Sequence, residues 1–339
     1  MILHMELGKD GYDIVIERSS LCRAGEILGI KGKAIVVTDS GVPAKYAKAV
    51  SDSLGGAKIV TLPEGEATKS LQYFGRLLEE MLAEGLTRTD AAVAVGGGVV
   101  GDLTGFAAAC YMRGIDFYNI PTTLLSEIDS SIGGKTAIDL NNAKNIVGAF
   151  HQPKKVLIDP DTLKTLPKRQ ISAGLAEAVK MALTSDRDLF EYIEACDVSA
   201  DAYEKLIYRS LLIKKAVVEA DEKELGLRRI LNFGHTFGHG IEAAMEGELF
   251  HGECVALGMI PMLAPEIRGR VIKVLEKLGL PTKATVDTEL ALGLISSDKK
   301  CDGRDINTVF VDEIGSFRME KMPTDKYIQY LKTQLGDII

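Results

Sequence analysis

The first half of the chain alternates short apolar runs with segments of helical spacing. The apolar runs predict buried strands at residues 33–39, 57–62, 91–95, 117–120 and 155–158. Between the second and third strands, apolar residues at helical spacing predict a helix from Ser70 to Leu86. Strands that alternate with helices form a mostly parallel sheet covered on both faces, and such sheets bind ligands at the carboxyl ends of their strands. The sequence therefore predicts an α/β domain with a binding site at that edge.

The second half has a different pattern. Helical spacing dominates residues 168–279, and a last helix is predicted near residues 324–335. A boundary after residue 166 gives two domains, an α/β domain over residues 1–166 and a mostly helical domain over residues 167–339. We expect the active site in the cleft between these domains, because ligand sites favour domain interfaces.

Composition limits the partners and the compartment. The chain has 339 residues, 46% of them hydrophobic, and its net charge of −8 disfavours nucleic acid and anionic membranes as partners. The most apolar stretch, residues 91–110, contains Asp102 and five glycines, which excludes a membrane span there. The start of the chain shows no signal-peptide pattern, and the five cysteines are scattered without a C-x-x-C pair. We therefore expect a cytoplasmic protein with reduced thiols.

A glycine-rich turn follows the third predicted strand. Gly96, Gly98 and Gly101 satisfy the pattern G-x-G-x-x-G, and residues 103–110 are predicted to be helical. Glycines at the start of a helix let phosphate oxygens reach backbone N–H groups, so this context indicates a dinucleotide site. The same spacing is also typical of a tight turn that only packs a helix on a strand. Asp39, which ends an earlier strand, is the candidate to bind a ribose hydroxyl.

Three of the five histidines lie close together in the second half. His235 and His239 are four residues apart, so a helix would place them on one face, a turn apart. His251, with carboxylates nearby, adds another nitrogen donor, and imidazole and carboxylate are ligands that a catalytic Zn²⁺ uses. The cluster predicts a metal centre, whereas the alternative is a group of core histidines beside a helix start.

A series of short motifs spans nearly the whole chain, from about residue 36 to residue 300. The motifs are Gly96–Asp102, Tyr111–Gly114, Pro121–Leu125, Asp129–Lys135, Lys144–Asn145, Gly174–Lys180, Asp221–Glu224, Gly226–Arg228, Leu231–His239 and Asp298–Lys300. In this order they resemble the 3-dehydroquinate synthase family of sugar-phosphate cyclases. The resemblance implies a Rossmann-like, NAD-binding α/β domain followed by a mainly α-helical domain that binds metal and substrate.

The resemblance also implies a reaction and its cofactors. The family uses NAD⁺ and one divalent metal, usually Zn²⁺, for which Co²⁺ can stand in. It converts 3-deoxy-D-arabino-heptulosonate 7-phosphate to 3-dehydroquinate and phosphate in the shikimate pathway, which leads to aromatic amino acids. The C5 hydroxyl is oxidised, phosphate is eliminated from C7, the ketone is reduced again, and the ring opens and closes as an intramolecular aldol. The implied partners are this small anionic sugar phosphate and a second copy of the chain in a homodimer.

The resemblance assigns roles to individual residues. The metal ligands would be Glu177, His235 and His251, whereas spacing alone would have made His235 and His239 both ligands. Catalytic roles would fall to His239, Lys135, Lys180, Glu224, Arg228 and Asn232. Substrate contacts would come from Arg113, Asp129, Lys135, Lys144, Asn145, Lys180, Lys214, Arg228, Asn232, His239 and Lys300, with Lys299 as the alternative to Lys300. Cofactor contacts would come from Asp39, Glu64, Gly65, Glu66, Ala67, Thr68, Lys69, Gly98, Val99, Val100, Gly101, Asp102, Thr122, Thr123, Lys135, Lys144, Thr162, Leu163, Lys164 and Thr165.

The role of His239 stays open between two interpretations. It relays a proton from the C5 hydroxyl, or it only orients water or Glu242. Four positions depart from the family's common pattern: Gly41 and Asp139 stand where asparagine is common, Glu127 where glutamine is, and Gly240 where alanine is. Gly41 puts one hydrogen bond to the adenosine in doubt, and Glu127 adds a negative charge with no evident partner.

Other functions fit parts of the sequence. A polyol dehydrogenase of the same architecture also pairs NAD⁺ with a carboxylate-and-histidine metal site, but it needs no cluster of cations and releases NADH. Other sugar-phosphate cyclases, such as 2-deoxy-scyllo-inosose synthase, use the same machinery on related substrates. A metallohydrolase helix of the H-E-x-x-H type would need a glutamate where Thr236 stands. A noncatalytic binding protein would hold metal without turnover.

Overall fold

A mostly parallel sheet organises the first half of the protein. The computed structural model describes residues 1–141, 143–196, 200–297 and 305–334. The chain divides into two compact units, Met1–Leu166 and Pro167–Ile339. The α/β fold with a mainly helical second part that the sequence predicts is confirmed.

The described part of the first unit contains a seven-stranded sheet and a separate hairpin. Its strands are β1 (Ile2–Met5), β2 (Tyr12–Ile16), β3 (Ala34–Asp39), β4 (Lys58–Leu62), β5 (Ala91–Gly96), β6 (Asp116–Pro121), β7 (Lys135–Leu140), β8 (Ala143–Phe150) and β9 (Lys155–Ile158). Its α-helices are α1 (Ala24–Leu28), α2 (Ala44–Ser53), α3 (Leu71–Ala83) and α4 (Gly98–Cys110). The sheet order is β1-β2-β9-β6-β5-β3-β4, in which only the β1–β2 pair is antiparallel. Strands β7 and β8 pair as an antiparallel hairpin.

The central strands are buried on both faces, which explains their continuous apolar runs. In β3, Ile35 and Val37 pack into one hydrophobic cluster with α3 and α4, whereas Val36 packs into a second cluster with α1 and α2. Strand β5 divides in the same way, with Ala94 in the first cluster and Val95 in the second. Each of these side chains is removed from water, so the two clusters hold helices on both faces of the sheet.

The glycine-rich turn leads directly into helix α4. The helix begins at Gly98, five residues before the start that the apolar composition predicts. A Cβ atom on Gly96 would lie 2.6 Å from a methyl carbon of Val100, so only glycine allows the chain to turn this tightly from β5 into α4. The first backbone N–H groups of α4 therefore follow the carboxyl end of β5 at once.

The second unit is mainly helical. Its helices are α5 (Lys168–Ser185), α6 (Arg187–Ala195), α7 (Ala200–Ala220), α8 (His235–Ala244), α9 (His251–Met259), α10 (Pro265–Lys277), α11 (Thr288–Ser297) and α12 (Thr324–Gln334). Strands β10 (Asp305–Phe310) and β11 (Arg318–Pro323) form an antiparallel pair. None of the helices in the described ranges is both long enough and apolar enough to cross a bilayer.

Helix α5 lies at the centre of the second unit. Its residues from Ala173 to Thr184 are all buried, and α9 packs against it. A Cβ atom on Gly252, in the first turn of α9, would lie 1.9 Å from the backbone oxygen of Ala173. Only glycine permits this approach, so the first turn of α9 rests directly on the backbone of α5.

Glu127 is a fully buried carboxyl group in the first unit. It lies in a single π-helical turn, Ser126–Ser130, and its Oε1 accepts a hydrogen bond of 3.0 Å from the Thr162 hydroxyl. Burial raises the pKa of Glu127 well above 4.5; the Thr162 hydrogen bond opposes this change, and the charge of Asp159 adds to it. The uncharged form of this carboxyl group is therefore favoured up to a higher pH than in a solvated glutamate, which offsets the unpaired negative charge that the sequence predicts there.

Replacement of Glu127 by Gln should stabilise the protein increasingly as pH rises. A carboxyl group whose pKa is higher in the folded than in the unfolded chain does not change stability at pH values below the unfolded pKa of 4.5. As pH rises from there to the folded pKa, the group destabilises the fold progressively. The variant should gain up to about 1.4 kcal/mol relative to the wild type for each pH unit in that window. Denaturant unfolding at a series of pH values measures this difference.

The exposed Glu79 on α3 provides the control. Glu79→Gln should leave the pH dependence of stability as it is in the wild type. A Glu127→Gln variant whose stability runs parallel to the wild type at every pH would contradict the raised pKa of the buried carboxyl group.

Candidate active site

Three histidines of the second unit lie together. His235 begins α8 and His239 follows one turn later on the same face, as their spacing predicts, while His251 begins α9. Their ring centroids are 5.3 Å apart for His235–His239, 5.2 Å for His235–His251 and 5.6 Å for His239–His251. One ring nitrogen from each lies within 4.8 Å of the other two. The three rings therefore face a common centre.

A buried carboxylate from α5 joins this cluster. The side chain of Glu177 is 1% exposed, and its Oε1 lies 3.7 Å from Nε2 of His235 and 3.7 Å from Nε2 of His251. The other oxygen, Oε2, pairs with the ammonium group of Lys180, one turn further along the helix and 2% exposed. The two oxygens of Glu177 thus face different partners, a cation on one side and imidazole nitrogens on the other.

Hydrogen bonds set the orientation of two of the rings. Nδ1 of His235 lies 3.1 Å from the backbone oxygen of Phe233, and Nδ1 of His251 lies 3.1 Å from Oε2 of Glu242. Because carbonyl and carboxylate oxygens only accept, both Nδ1 atoms donate. In the neutral rings the Nε2 atoms of His235 and His251 then carry the lone pairs, and both face Glu177.

The donor set fits a divalent metal such as Zn²⁺. One carboxylate oxygen and two imidazole nitrogens with hydrogen-bonded far sides are the ligands of a catalytic zinc site. Burial lowers the pKa of His251, but the hydrogen bond and charge of Glu242 and the charge of Glu177 outweigh this effect, so the pKa is raised overall. A metal therefore competes with a proton for Nε2 of His251.

The residue spacing predicts His239 as a metal ligand, whereas the family resemblance implies Glu177 and His251 together with His235. The structure brings the residues of both predictions close together. The nitrogen of His239 lies in the same group of three as those of His235 and His251. Sequence reasoning gives Glu242 no role toward His251, although Glu242 stands seven residues after His235 and thus on the same helix face. That spacing is the signal which could have identified it.

The loop that leads into α8 holds further predicted residues. Arg228 is 2% exposed, and its backbone N–H donates to the Asp221 carboxylate at 3.0 Å. Asn232 donates to Glu224 Oε1 at 2.6 Å. Lys214 on α7 is 5% exposed. These are buried or tethered groups, in contrast to solvated surface side chains; Lys300 and its alternative Lys299 lie outside the described residues.

Apart from Lys135 and Lys144, which lie in the β7–β8 hairpin, the predicted cofactor residues of the first unit share one location in the sheet. They follow the carboxyl ends of five strands that are adjacent in the order β9-β6-β5-β3-β4, all of them parallel. The segments are Thr162–Thr165 after β9, Thr122–Thr123 after β6, Gly98–Asp102 after β5, Asp39 at the end of β3 and Glu64–Lys69 after β4. Ligands bind parallel sheets at this edge.

Asp39 lies at the wall of an open cavity of about 680 Å³. Its Oδ1 accepts from the backbone N–H groups of Gly41 at 2.9 Å and Val42 at 3.1 Å. Burial raises the pKa of Asp39, these two bonds lower it, and the charge of Glu64 raises it again, so it is raised overall. A Cβ atom on Gly41 would lie 2.4 Å from Glu64 Oε2, so Glu64 occupies the space that an asparagine side chain there would need.

Other predicted residues of the first unit differ in exposure. Arg113, Lys135, Lys144 and Asn145 are exposed, and Asp129 is partly buried. The Thr162 hydroxyl donates to Glu127, and the backbone N–H of Thr162 donates to the backbone oxygen of Asp159. The backbone oxygen of Thr162 accepts from the hydroxyl groups of Tyr46 and Thr165.

Solved structures identify the class of protein. The structure is similar to 2-deoxy-scyllo-inosose synthase complexed with carbaglucose-6-phosphate, NAD⁺ and Co²⁺, with a TM-score of 0.88 and 26% identity over 99% of this chain and 100% of that one. It is also similar to 2-epi-5-epi-valiolone synthase from Streptomyces hygroscopicus with NAD⁺ and Zn²⁺ bound, with a TM-score of 0.86 and 28% identity over 95% and 96% of the chains. Glycerol dehydrogenase from Schizosaccharomyces pombe, at 18% identity and a TM-score of 0.65 over 94% and 88% of the chains, shares the fold alone. The fold is that of the sugar-phosphate cyclases.

Sequence comparison identifies the family within this class. Residues 59–173 match the family model for the 3-dehydroquinate synthase N-terminal domain, and residues 174–301 match that for the C-terminal domain. The 3-dehydroquinate synthase of Streptococcus suis is 41% identical over 98% of this chain and 100% of its own, and that of Latilactobacillus sakei is 40% identical over 97% and 98%. The chain belongs to the 3-dehydroquinate synthase family, as the motifs predict.

Replacement of Glu242 by Gln should weaken metal binding. The amide keeps the size of the side chain but loses the charge that orients and polarises His251, and such outer carboxylates are worth about 10–100-fold in metal affinity. Titration of the metal-free protein with Zn²⁺ or Co²⁺ against a chelator of known affinity measures the change. Glu246→Gln, at an exposed position beyond the end of α8, should bind metal like the wild type. Equal affinity in the Glu242 variant would exclude this role.

Proposed function

We propose that the protein converts 3-deoxy-D-arabino-heptulosonate 7-phosphate to 3-dehydroquinate and phosphate, the reaction of its family. The single observation that carries the proposal is the cluster of the buried Glu177 and Lys180 with the partly buried His235, His239 and His251, in a chain that matches the family over nearly its whole length. A buried carboxylate beside three imidazoles is costly to hold without a function that uses it.

Two bound groups would complete the site. Bound NAD⁺ supplies a reversible hydride acceptor for C5, and a bound Zn²⁺ or Co²⁺ ion supplies a Lewis acid for the oxygen atoms of the sugar. Glu177, His235 and His251 would hold the metal, since the Nδ1 hydrogen bonds of both histidines direct their Nε2 atoms toward the carboxylate. The dinucleotide would lie along the carboxyl ends of β9, β6, β5, β3 and β4, with its pyrophosphate at the start of α4.

His239 is the proton carrier in this proposal. Its ring is edge-on to His235 at 5.3 Å and shares the site without being needed as a third nitrogen ligand. An imidazole there can take the proton from the C5 hydroxyl as this carbon is oxidised and return it when the ketone is reduced. Three protein ligands leave coordination positions for substrate.

The cations of the second unit bind the anionic substrate. Lys180, Lys214 and Arg228 are each at most 5% exposed, so their charges are little screened. The planar fork of Arg228 suits phosphate, and lysine ammonium groups act as point charges that stabilise the leaving phosphate. Asn232 and Glu224, joined by their hydrogen bond, add neutral and anionic contacts, and Arg113, Asp129, Lys135, Lys144, Asn145 and Lys300 complete the proposed substrate contacts.

A second candidate is cyclisation of a different sugar phosphate. The similarity to 2-deoxy-scyllo-inosose synthase over the whole chain favours it, because the same fold there carries a sugar-phosphate analogue with NAD⁺ and Co²⁺. We further propose that the protein works as a homodimer in the cytoplasm, as its family does. Light scattering on the purified protein tests the dimer.

Phosphate release without NADH accumulation is the expected outcome in a direct assay. Incubation with 3-deoxy-D-arabino-heptulosonate 7-phosphate, NAD⁺ and Zn²⁺ should give phosphate and 3-dehydroquinate in equal amounts. NADH should not accumulate, because the hydride returns to the substrate. Absorbance at the NADH band is followed in the same cuvette. No phosphate from this substrate, but phosphate from another sugar phosphate, would favour the second candidate. Steady NADH production on a simple polyol would indicate a dehydrogenase.

Two histidine variants separate metal binding from proton transfer. His235→Ala should lose both metal and activity, with metal affinity reduced by at least about 100-fold, because a direct ligand is removed. His239→Ala should keep its metal and lose about 10²–10⁴-fold in kcat, the usual contribution of general acid–base catalysis. Metal content by elemental analysis and steady-state kinetics give both quantities. Retained metal in the first variant or lost metal in the second would contradict the ligand assignment.

A further inference from the structure

The ammonium group of Lys69 is buried among three segments of the first unit. Its side chain is 4% exposed, and Nζ lies 2.9 Å from Oδ2 of Asp102, in the second turn of α4. It also donates to Oδ1 of Asn145 in β8, and Glu66 Oε1 lies 3.4 Å away. One side chain therefore joins the segment after β4, the start of α4 and the β7–β8 hairpin.

The backbone around these contacts strengthens the connection. The backbone N–H of Asp139, near the end of β7, donates to the backbone oxygen of Lys69 at 2.8 Å. Asp139 in turn accepts from the backbone N–H of Asn145 at 2.7 Å. Asn145 has a φ of 52°, a left-handed conformation that asparagine adopts more readily than most residues. The Lys69 ammonium therefore contacts the side chain of a residue, Asn145, whose backbone is in the left-handed conformation.

The Lys69 ammonium remains charged in this position. Burial lowers its pKa, but the charge and hydrogen bond of Asp102 and the charges of Glu66 and Asp139 outweigh burial, so the pKa is raised overall. A charge-assisted hydrogen bond at a site with so little solvent is stronger than one at the surface. The link from Lys69 to the hairpin is therefore not a loose surface contact.

The part of the β7–β8 hairpin near its turn has little packing to hold it in place. Near its open end, Thr136 packs against α4 beside Gly105, and Ile138 is part of the hydrophobic core. Toward the turn, residues 144–146 are exposed, and packing contributes little there. Lys69 binds the hairpin in this outer part.

We propose that Lys69 is a positioning residue that holds the outer part of the β7–β8 hairpin at the start of α4, so that Lys144, next to Asn145, faces the dinucleotide site. The reason for this position rests on the proposed NAD⁺-dependent function. The family resemblance implies a cofactor contact for Lys69, whereas in this proposal its ammonium acts on the hairpin, because Asp102, Glu66 and Asn145 already surround it.

Hydrogen exchange in the absence of ligands tests the link. Lys69→Met removes the charge at similar length, and Asn145→Gly removes only the acceptor while keeping access to the left-handed conformation. Backbone amides of residues 136–150 should exchange about ten-fold faster in either variant, as expected for the loss of a charge-assisted hydrogen bond, and the double variant should add little more. Asn141→Gly, at another left-handed position in the same hairpin, is the matched control and should exchange like the wild type.

Unchanged exchange in Asn145→Gly would overturn the proposal, and so would equal acceleration in Asn141→Gly. If Lys69→Met fails to fold, Asn145→Gly alone decides. NADH titration, followed by its fluorescence in a protein without tryptophan, adds a second readout. Its Kd should rise about ten-fold in both Lys69→Met and Asn145→Gly. A rise in Lys69→Met alone would mean that Lys69 contacts the dinucleotide directly. Failure of the wild type to bind NADH would refute the proposed function, while the exchange comparison still decides the role of Lys69.

Discussion

The second unit depends on one buried carboxylate. Glu177 lies at the centre of α5, 1% exposed, where an ionised group is stable only if positive or polar groups face it. Lys180 supplies a cation to one oxygen, and His235 and His251 face the other. Helices α5, α8 and α9 bring these groups together from three separate parts of the chain. A cation bound at the proposed metal centre would also offset the negative charge of the buried Glu177.

Much of the fold follows from the sequence, because burial on both faces leaves a clear record. Strands β3, β5 and β9 are continuous apolar runs, and the structure places them within one residue of their predicted limits. The histidine cluster was also predictable, since His235 and His239 need only a helix to share a face. The family motifs then added Glu177, which on its own has the appearance of an ordinary helix glutamate.

The remainder could not be predicted, because partners distant in sequence determine it. Strand β8 is mostly exposed and has no apolar alternation that would distinguish it from a loop, so the hairpin was not predicted. The raised pKa of Glu127 depends on its burial in the folded chain, and the contacts of Lys69 depend on Asp102 and Asn145. No local pattern contains that information, since each pair joins segments that meet only in the folded chain.

The contact between Gly252 and the backbone of Ala173 has a consequence for how the sequence of this protein can evolve. Backbone against backbone sets the separation of α9 from α5, and therefore the distance from His251 to Glu177. Core side chains elsewhere in the second unit can drift through many hydrophobic combinations without moving these two groups apart. Related chains should tolerate wide divergence around the site while keeping the smallest residue at position 252.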